Sequence, residues 1–146
     1  MLLKINWVSL SLNPNGVSLL EKINWKYISS NPNAIYLLEQ NVDKIDWKMM
    51  SLNLNGIFLL ERNLDKIDWK ILSSNSNAIQ LLEQNIDKIH WDLLSYNKNG
   101  IELLEHNQDK IDWKNLSANP NAIHLLENNV DKIDWKNPNA IHLLEK

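Results

Sequence analysis

The chain has no cysteine and no threonine, and only one phenylalanine, three glycines and four prolines among its 146 residues. Without cysteine there is neither a disulfide framework nor a thiolate zinc site, a composition that suits a reducing compartment. No glycine-rich phosphate loop, nucleophile elbow or His-Glu metal motif occurs, so the familiar routes to cofactor and enzyme chemistry are missing. No run approaches the roughly 18 apolar residues that a membrane span needs. The opening MLLKINWVSLSLNPN breaks up its apolar residues too often for a signal-peptide core. A soluble intracellular protein is expected, in which the sequon at Asn115-Leu116-Ser117 has no route to glycosylation. Charge of one sign is missing as well: 15 basic and 18 acidic residues net −3 and interleave in pairs such as Asp65-Lys66. A nucleic-acid binder shows a basic stripe and an anionic-membrane binder clustered Lys and Arg, so neither partner is expected.

What the chain does contain is repetition. Its tryptophans, Trp7, Trp25, Trp47, Trp69, Trp91, Trp113 and Trp135, are 18 residues apart once and 22 apart five times. A fixed period in this range marks a stacked array whose units are each too small to bury their own apolar face. The 23 asparagines belong to the repeated phrase. One repeat domain over 1–146 is expected. It is shortened by four residues near 21–22, where the equivalent of Gln40-Asn41-Val42-Asp43 is missing, and again near 136–137, where Trp135-Lys136 runs straight into Asn137-Pro138. Four residues are about one helical turn, so the frame is shortened rather than put out of phase.

Two short helices fill a unit. A leading helix is expected from Trp69 with Asp68 as N-cap, and Ile67 and Leu72 stand at the spacing of a hydrophobic staple, as do Ile45 with Met50, Ile89 with Leu94 and Ile111 with Leu116. It should fade near Ser73 and Ser74. A trailing helix is expected to start where Asn31-Pro32, Asn119-Pro120 and Asn137-Pro138 place Asn at N-cap and Pro at N1. Ala78, Ile79, Leu81 and Leu82 form its apolar face, and Asn85 is expected to close it in the left-handed conformation. The position occupied by Gly16, Ala34, Gly56, Ala78, Gly100, Ala122 and Ala140 is always small, as if a neighbouring backbone came close there. Helices of this length are marginal alone, so stacking must hold them. These features predict an all-α fold: a right-handed-type α-solenoid of about seven helix-turn-helix repeats of 22 residues. The alternative is a β-solenoid or leucine-rich-like array, because Lys66-Ile67-Asp68-Trp69-Lys70 alternates like a strand and such arrays bury asparagine ladders.

Trp25, Trp47, Trp69, Trp91, Trp113 and Trp135 are assigned to the structural core, the largest apolar side chains filling the stack, rather than to a base-stacking platform. The recurring Asp-Lys-Ile-Asp units and Glu39, Glu61, Glu83, Glu105 and Glu127 appear in almost every unit. An active site is a single convergence of unlike groups, so no catalytic residue is assigned and no enzyme is expected. Asparagines read as turn closers and caps. Of the four histidines, His90 replaces an N-cap Asp, His106 ends a trailing helix, and His124 and His142 share one position; a zinc ion between the last two lacks a third ligand, so neither metal nor cofactor is expected. The informative column is the outward position of the trailing helix, which reads Ser18, Tyr36, Phe58, Gln80, Glu102, His124 and His142. Repeat proteins carry recognition on such rows, and exposed Tyr and Phe are good anchors. Tyr36, Phe58, Gln80, Glu102, His124 and His142 are therefore the candidate partner-binding residues.

The phrase Ile-Asp-Trp-x-x-Leu-Ser-x-Asn-Pro-Asn-Ala-Ile-x-Leu-Leu-Glu, best matched from Ile111 to Glu127, resembles a 22-residue repeat of giant DNA virus proteins and covers essentially the whole chain. The richness in Asn, Lys and Ile also resembles products of AT-rich viral genomes. The resemblance implies a location in the host cytoplasm or the virion and brings no catalytic residues. The expected function is a non-enzymatic scaffold that binds a protein partner through the variable row. The alternative is a structural, virion-associated or self-assembling component, a homo-oligomer formed through the uncapped apolar face at Ile141-His142-Leu143-Leu144-Glu145-Lys146.

Overall fold

The structure, a computed structural model, describes residues 24–137. Among them are ten short α-helices and no strand. The leading helices are α1 (Trp25–Ser29), α3 (Trp47–Met50), α5 (Trp69–Leu72), α7 (Trp91–Tyr96) and α9 (Trp113–Leu116). The trailing helices are α2 (Ile35–Glu39), α4 (Ile57–Glu61), α6 (Ile79–Glu83), α8 (Ile101–Glu105) and α10 (Ile123–Glu127). The fold is thus an all-α repeat array, and the β-solenoid alternative is set aside. Contacts divide the chain into two compact units, residues 1–67 and 68–146, the first holding α1–α4 and the second α5–α10.

Leading helices start as their sequence dictates. Asp46 Oδ1 accepts from Met49 N at 2.9 Å, Asp68 Oδ1 from Ile71 N at 3.0 Å and Asp112 Oδ1 from Asn115 N at 2.9 Å, each satisfying an amide with no intrahelical acceptor. His90, in the same column, makes no capping bond. Ile45, Met50, Ile89, Leu94, Ile111 and Leu116 are all buried, as the staples require. The helices end at Ser51, Ser73 and Ser117.

Three local expectations are corrected. The trailing helix does not begin at the asparagine: Asn31 caps a separate 3-10 turn, Pro32–Ala34, its side chain accepting from Asn33 N at 3.0 Å, and the α-helix starts at Ile35. The carboxamide and the fixed proline φ favour this tight turn before the helix. Asn85 is not left-handed, with φ −136° and ψ 51°, and among the described residues no non-glycine has a positive φ. Its Nδ2 instead donates to Leu81 O at 2.9 Å, and Asn41, Asn63, Asn107 and Asn129 do the same to the carbonyl four residues back. A side-chain donor supplies the bond that the next helical amide would have made. The backbone is then free to form a 3-10 turn, such as Val42–Lys44 or Ile86–Lys88, a third helical element in each unit. Finally, the small position is crowded from within its own repeat, by a side chain first and then by backbone, Asn53 O standing 3.3 Å from a Cβ on Gly56 and Leu94 O 3.1 Å from one on Gly100. A Cβ on Gly56 would lie 2.6 Å from Met50 Cε, and one on Gly100 would lie 2.8 Å from Leu94 Cδ1.

The tryptophans do not form the core. Trp25, Trp47, Trp69, Trp91 and Trp113 are half-buried, and Trp135 is 37% exposed. A four-residue leading helix turns only its last position fully inward, three residues after the tryptophan, where Met50, Leu72 and Leu116 are completely buried; Leu94 is buried at the same place in α7, and α1 buries Ser29 instead. The core consists of these apolar residues, the Leu37-Leu38 type of pair in each trailing helix, the column Ile45, Ile67, Ile89, Ile111 and Ile133, and Ala34, Ala78 and Ala122. Each indole lies on the rim. The ammonium of Lys44 is 5.2 Å from the centroid of Trp25, Lys66 4.9 Å from Trp47, Lys88 4.7 Å from Trp69 and Lys132 4.4 Å from Trp113, a cation-π cover contributed by the next 3-10 turn.

A buried polar network runs beside the leucines. Ser29 Oγ donates to Trp25 O at 2.7 Å and accepts from Asp46 N at 3.0 Å, 17 residues on. Ser73, Ser95 and Ser117 repeat the pair of bonds, accepting from the amides of His90, Asp112 and Asp134. Asn53 Nδ2 donates to both Ser29 O (2.9 Å) and Asn31 O (3.0 Å) of the preceding repeat. Asn97 donates likewise to Ser73 O and Asn75 O, and Asn119 to Ser95 O and Asn97 O. Among the described residues no buried side-chain N or O lacks a partner. The asparagine ladder considered for a β-array is therefore present, but it is built on turns between helices.

The shortened junction near 21–22 lies outside the described residues. At 136–137 the chain turns, with Asn137 N donating to Asp134 O at 3.0 Å and Lys136 N to Asp134 Oδ1 at 3.2 Å.

Candidate interaction surface

The outward column of the trailing helices is held by its neighbours. In α2, Leu37 and Leu38 are buried and so fix the helix, and Tyr36 is turned outward and 40% exposed. In α4, Leu59 and Leu60 play the same part for Phe58, which is 51% exposed. The guanidinium of Arg62, one turn further along, stands 4.0 Å from the Phe58 centroid, which stiffens the ring and sets a charge beside it. These two aromatics belong to the first unit. In the second unit Gln80, Glu102 and His124 occupy the same position of α6, α8 and α10, and all are exposed. His142 lies outside the described residues, as does the segment 141–146 on which the self-assembly expectation rests.

The other ionisable groups are dispersed. Glu39, Glu61, Glu83, Glu105 and Glu127 are exposed, one per repeat. His106 Nδ1 is 2.8 Å from Glu102 O, and the exposed His90 and His124 stand on different columns. Among the described residues no three of His, Asp and Glu are grouped to hold a metal ion, and no helix is long and apolar enough to cross a membrane.

One exposed region escaped the sequence reading. The corner between leading and trailing helices shows Leu52 and Leu54 in the first unit and Tyr96 in the second. Beside Tyr96 is a groove of about 310 Å³ lined by Ser74, Ser76, Tyr96, Asn97, Lys98 and Pro120. Its signal is present in the sequence, since the column Ser30, Leu52, Ser74, Tyr96 and Ala118 varies as widely as the column Tyr36, Phe58, Gln80, Glu102 and His124. No family model, curated protein or solved structure matches the chain.

Proposed function

We propose that the protein is a non-enzymatic scaffold that binds a protein partner through the outward column of its trailing helices, with Tyr36 and Phe58 as the anchors. The observation that carries the reading is the exposure of these two large rings at positions on which the frame places no packing demand. Rigid aromatics bury much area at little cost in conformational entropy, which is why binding energy concentrates on them. The Arg62 guanidinium against Phe58 adds a planar donor at the rim of that patch. In the second unit the equivalent positions carry Gln80, Glu102 and His124, exposed polar groups suited to specificity. The resemblance to giant-virus repeats brings no residue roles and so adds no site.

The test is affinity capture from the cells that make the protein, comparing the parent chain with Tyr36→Ala/Phe58→Ala. Loss of the captured protein by about tenfold or more, the scale of one aromatic hot spot, with an unchanged melting temperature, is the expected result. Equal capture, or a large drop in melting temperature, refutes recognition by this surface.

A further inference from the structure

The repeat containing α7 breaks the pattern at several positions that fall on one exposed corner. The residue after the tryptophan is Lys26, Lys48, Lys70 and Lys114 in the other described leading helices, and here it is Asp92. The residue four further on is Ser30, Leu52, Ser74 and Ala118 elsewhere, and here it is Tyr96, 60% exposed. Positions i and i+4 lie one above the other on a helix, so α7 presents a carboxylate and an aromatic ring together on its outward face. α7 also runs through Tyr96, further than the four-residue α3, α5 and α9, and this holds the ring on the helix rather than on the following turn. One of the chain's cations is drawn away from α7, and Lys98 stays beside Tyr96. By the rule of the other repeats Lys110 would cover Trp91, but its ammonium turns to Asp109 at 3.5 Å. With histidine neutral, positions 90 and 92 carry −1 here (His90 0, Asp92 −1), whereas Asp68 with Lys70 or Asp112 with Lys114 sum to zero.

We propose that the Asp92–Tyr96 face of α7 is a docking site for a cationic side chain, arginine or lysine, presented by a partner protein. A guanidinium or ammonium over the tyrosine ring gains the attraction of the π face while its hydrogen-bond donors reach the carboxylate one turn earlier. The groove beside Tyr96 contains Lys98, whose charge confines the cation to the Asp92 side of the ring and leaves the groove to an apolar neighbour in the same segment. The site is on a leading helix and does not depend on the trailing-helix column.

The experiment titrates N-acetyl-arginine amide into the full chain, follows the backbone amide of Asp92 and the ring of Tyr96 by NMR, and uses N-acetyl-glutamate amide as the opposite charge. The variants are Asp92→Lys and Tyr96→Ser, each installing the residue that other repeats carry at that position, so both are expected to keep the parent melting temperature. Saturable shifts confined to α7 with the arginine probe, weakened about fivefold in each variant, the factor for one exposed cation-π or ion-pair contact, support the site. Shifts that do not saturate, that survive Asp92→Lys unchanged, or that are matched by the glutamate probe overturn it.

Discussion

Replacing Asn97 by alanine strips a completed set of bonds from a side chain that is 3% exposed. Its Nδ2 donates to Ser73 O and Asn75 O, both at 3.1 Å, and its Oδ1 accepts from Asn99 N at 3.1 Å. Asn75 O keeps a second donor, the amide of Ala78 at 3.1 Å, so the groups left short are mainly the Ser73 carbonyl and the Asn99 amide. Leaving a buried polar group unpaired costs about 1–3 kcal/mol, and the vacated volume adds to it. The expected loss is about 3–5 kcal/mol, a large share of the roughly 5–15 kcal/mol that a domain has. Asn99→Ala is the control: it removes one exposed bond, Nδ2 to Ser76 O at 2.8 Å, with an expected net cost of about 0.5–1.5 kcal/mol. Asn97→Asp should cost at least as much as Asn97→Ala, because a carboxylate has no hydrogen to offer the two carbonyl oxygens. Urea unfolding followed by far-UV circular dichroism measures all three, read against the parent for coincident transitions, since arrays can lose all-or-none behaviour. If Asn97→Ala and Asn99→Ala agree within about 0.5 kcal/mol, the difference expected for independent surface changes, the ladder is not what joins the repeats.

Other substitutions probe single elements of the frame. Ser95→Ala deprives the Asp112 amide of its acceptor at 3.0 Å; a loss of about 1–3 kcal/mol and faster hydrogen exchange at that one amide are expected, and unchanged exchange there refutes the bond. His90→Asp restores the cap present at Asp46, Asp68 and Asp112 and should add about 0.5–1 kcal/mol, seen as a higher melting temperature, with no rise counting against it. Gly100→Ala places a methyl 2.8 Å from Leu94 Cδ1, yet Leu72 with Ala78 and Leu116 with Ala122 already coexist fully buried at equivalent positions. A small rotation of Leu94 should therefore suffice, and the smaller backbone entropy of the unfolded chain should leave the variant neutral or up to about 1 kcal/mol more stable; a loss above that amount in thermal melts shows that the leucine cannot yield.

The parts of this fold that the sequence made legible are those whose chemistry closes within a few residues. Asp68 and its N3 amide, the spacing of Ile45 to Met50 and the serines after Leu72 are all local, and each stands where its residue type demands. The period itself was plain from the tryptophans. What was missed depends on partners far along the chain or on side-chain reach. The Asn97 carboxamide bonds carbonyls 22 and 24 residues earlier, and a backbone carbonyl leaves no trace in residue type. Asn85 was read from its tolerance of the left-handed region, while its amide found the Leu81 carbonyl first. The size of tryptophan and its place beside the staple argue for the inside, yet a helix that begins at Trp69 and ends at Leu72 has a single inward position and gives it to Leu72. Tyr36 and Phe58 were correctly expected to face outward, because the adjacent Leu-Leu pair defines the buried side of a short helix. Asp92 and Tyr96 escaped notice because each looks like an ordinary surface residue until the α7 helix places them one turn apart.

Leucine contacts alone would not tell one repeat how to sit on the next. Dispersion and apolar burial are nearly indifferent to a small slide along a ridge, whereas an asparagine that must reach two carbonyls at once, and a serine that must meet one particular amide, lose their bonds when displaced by about an ångström. Within each unit the Ser and Asn columns therefore set the register, and because every buried member among the described residues is satisfied they do so without leaving a stranded polar group there. Neither network uses the side chains at positions 36, 58, 80, 102 and 124, or those at 92 and 96. The bonds that join the repeats and the exposed side chains of the proposed surfaces thus lie on different columns of the same repeat. An exchange of residues along an outer column, such as Phe58 with Gln80, should move or abolish partner binding while the urea transition stays where it was. A shift of that transition by more than about 1 kcal/mol, beyond the range of ordinary surface substitutions, would mean that the two sets of columns are coupled.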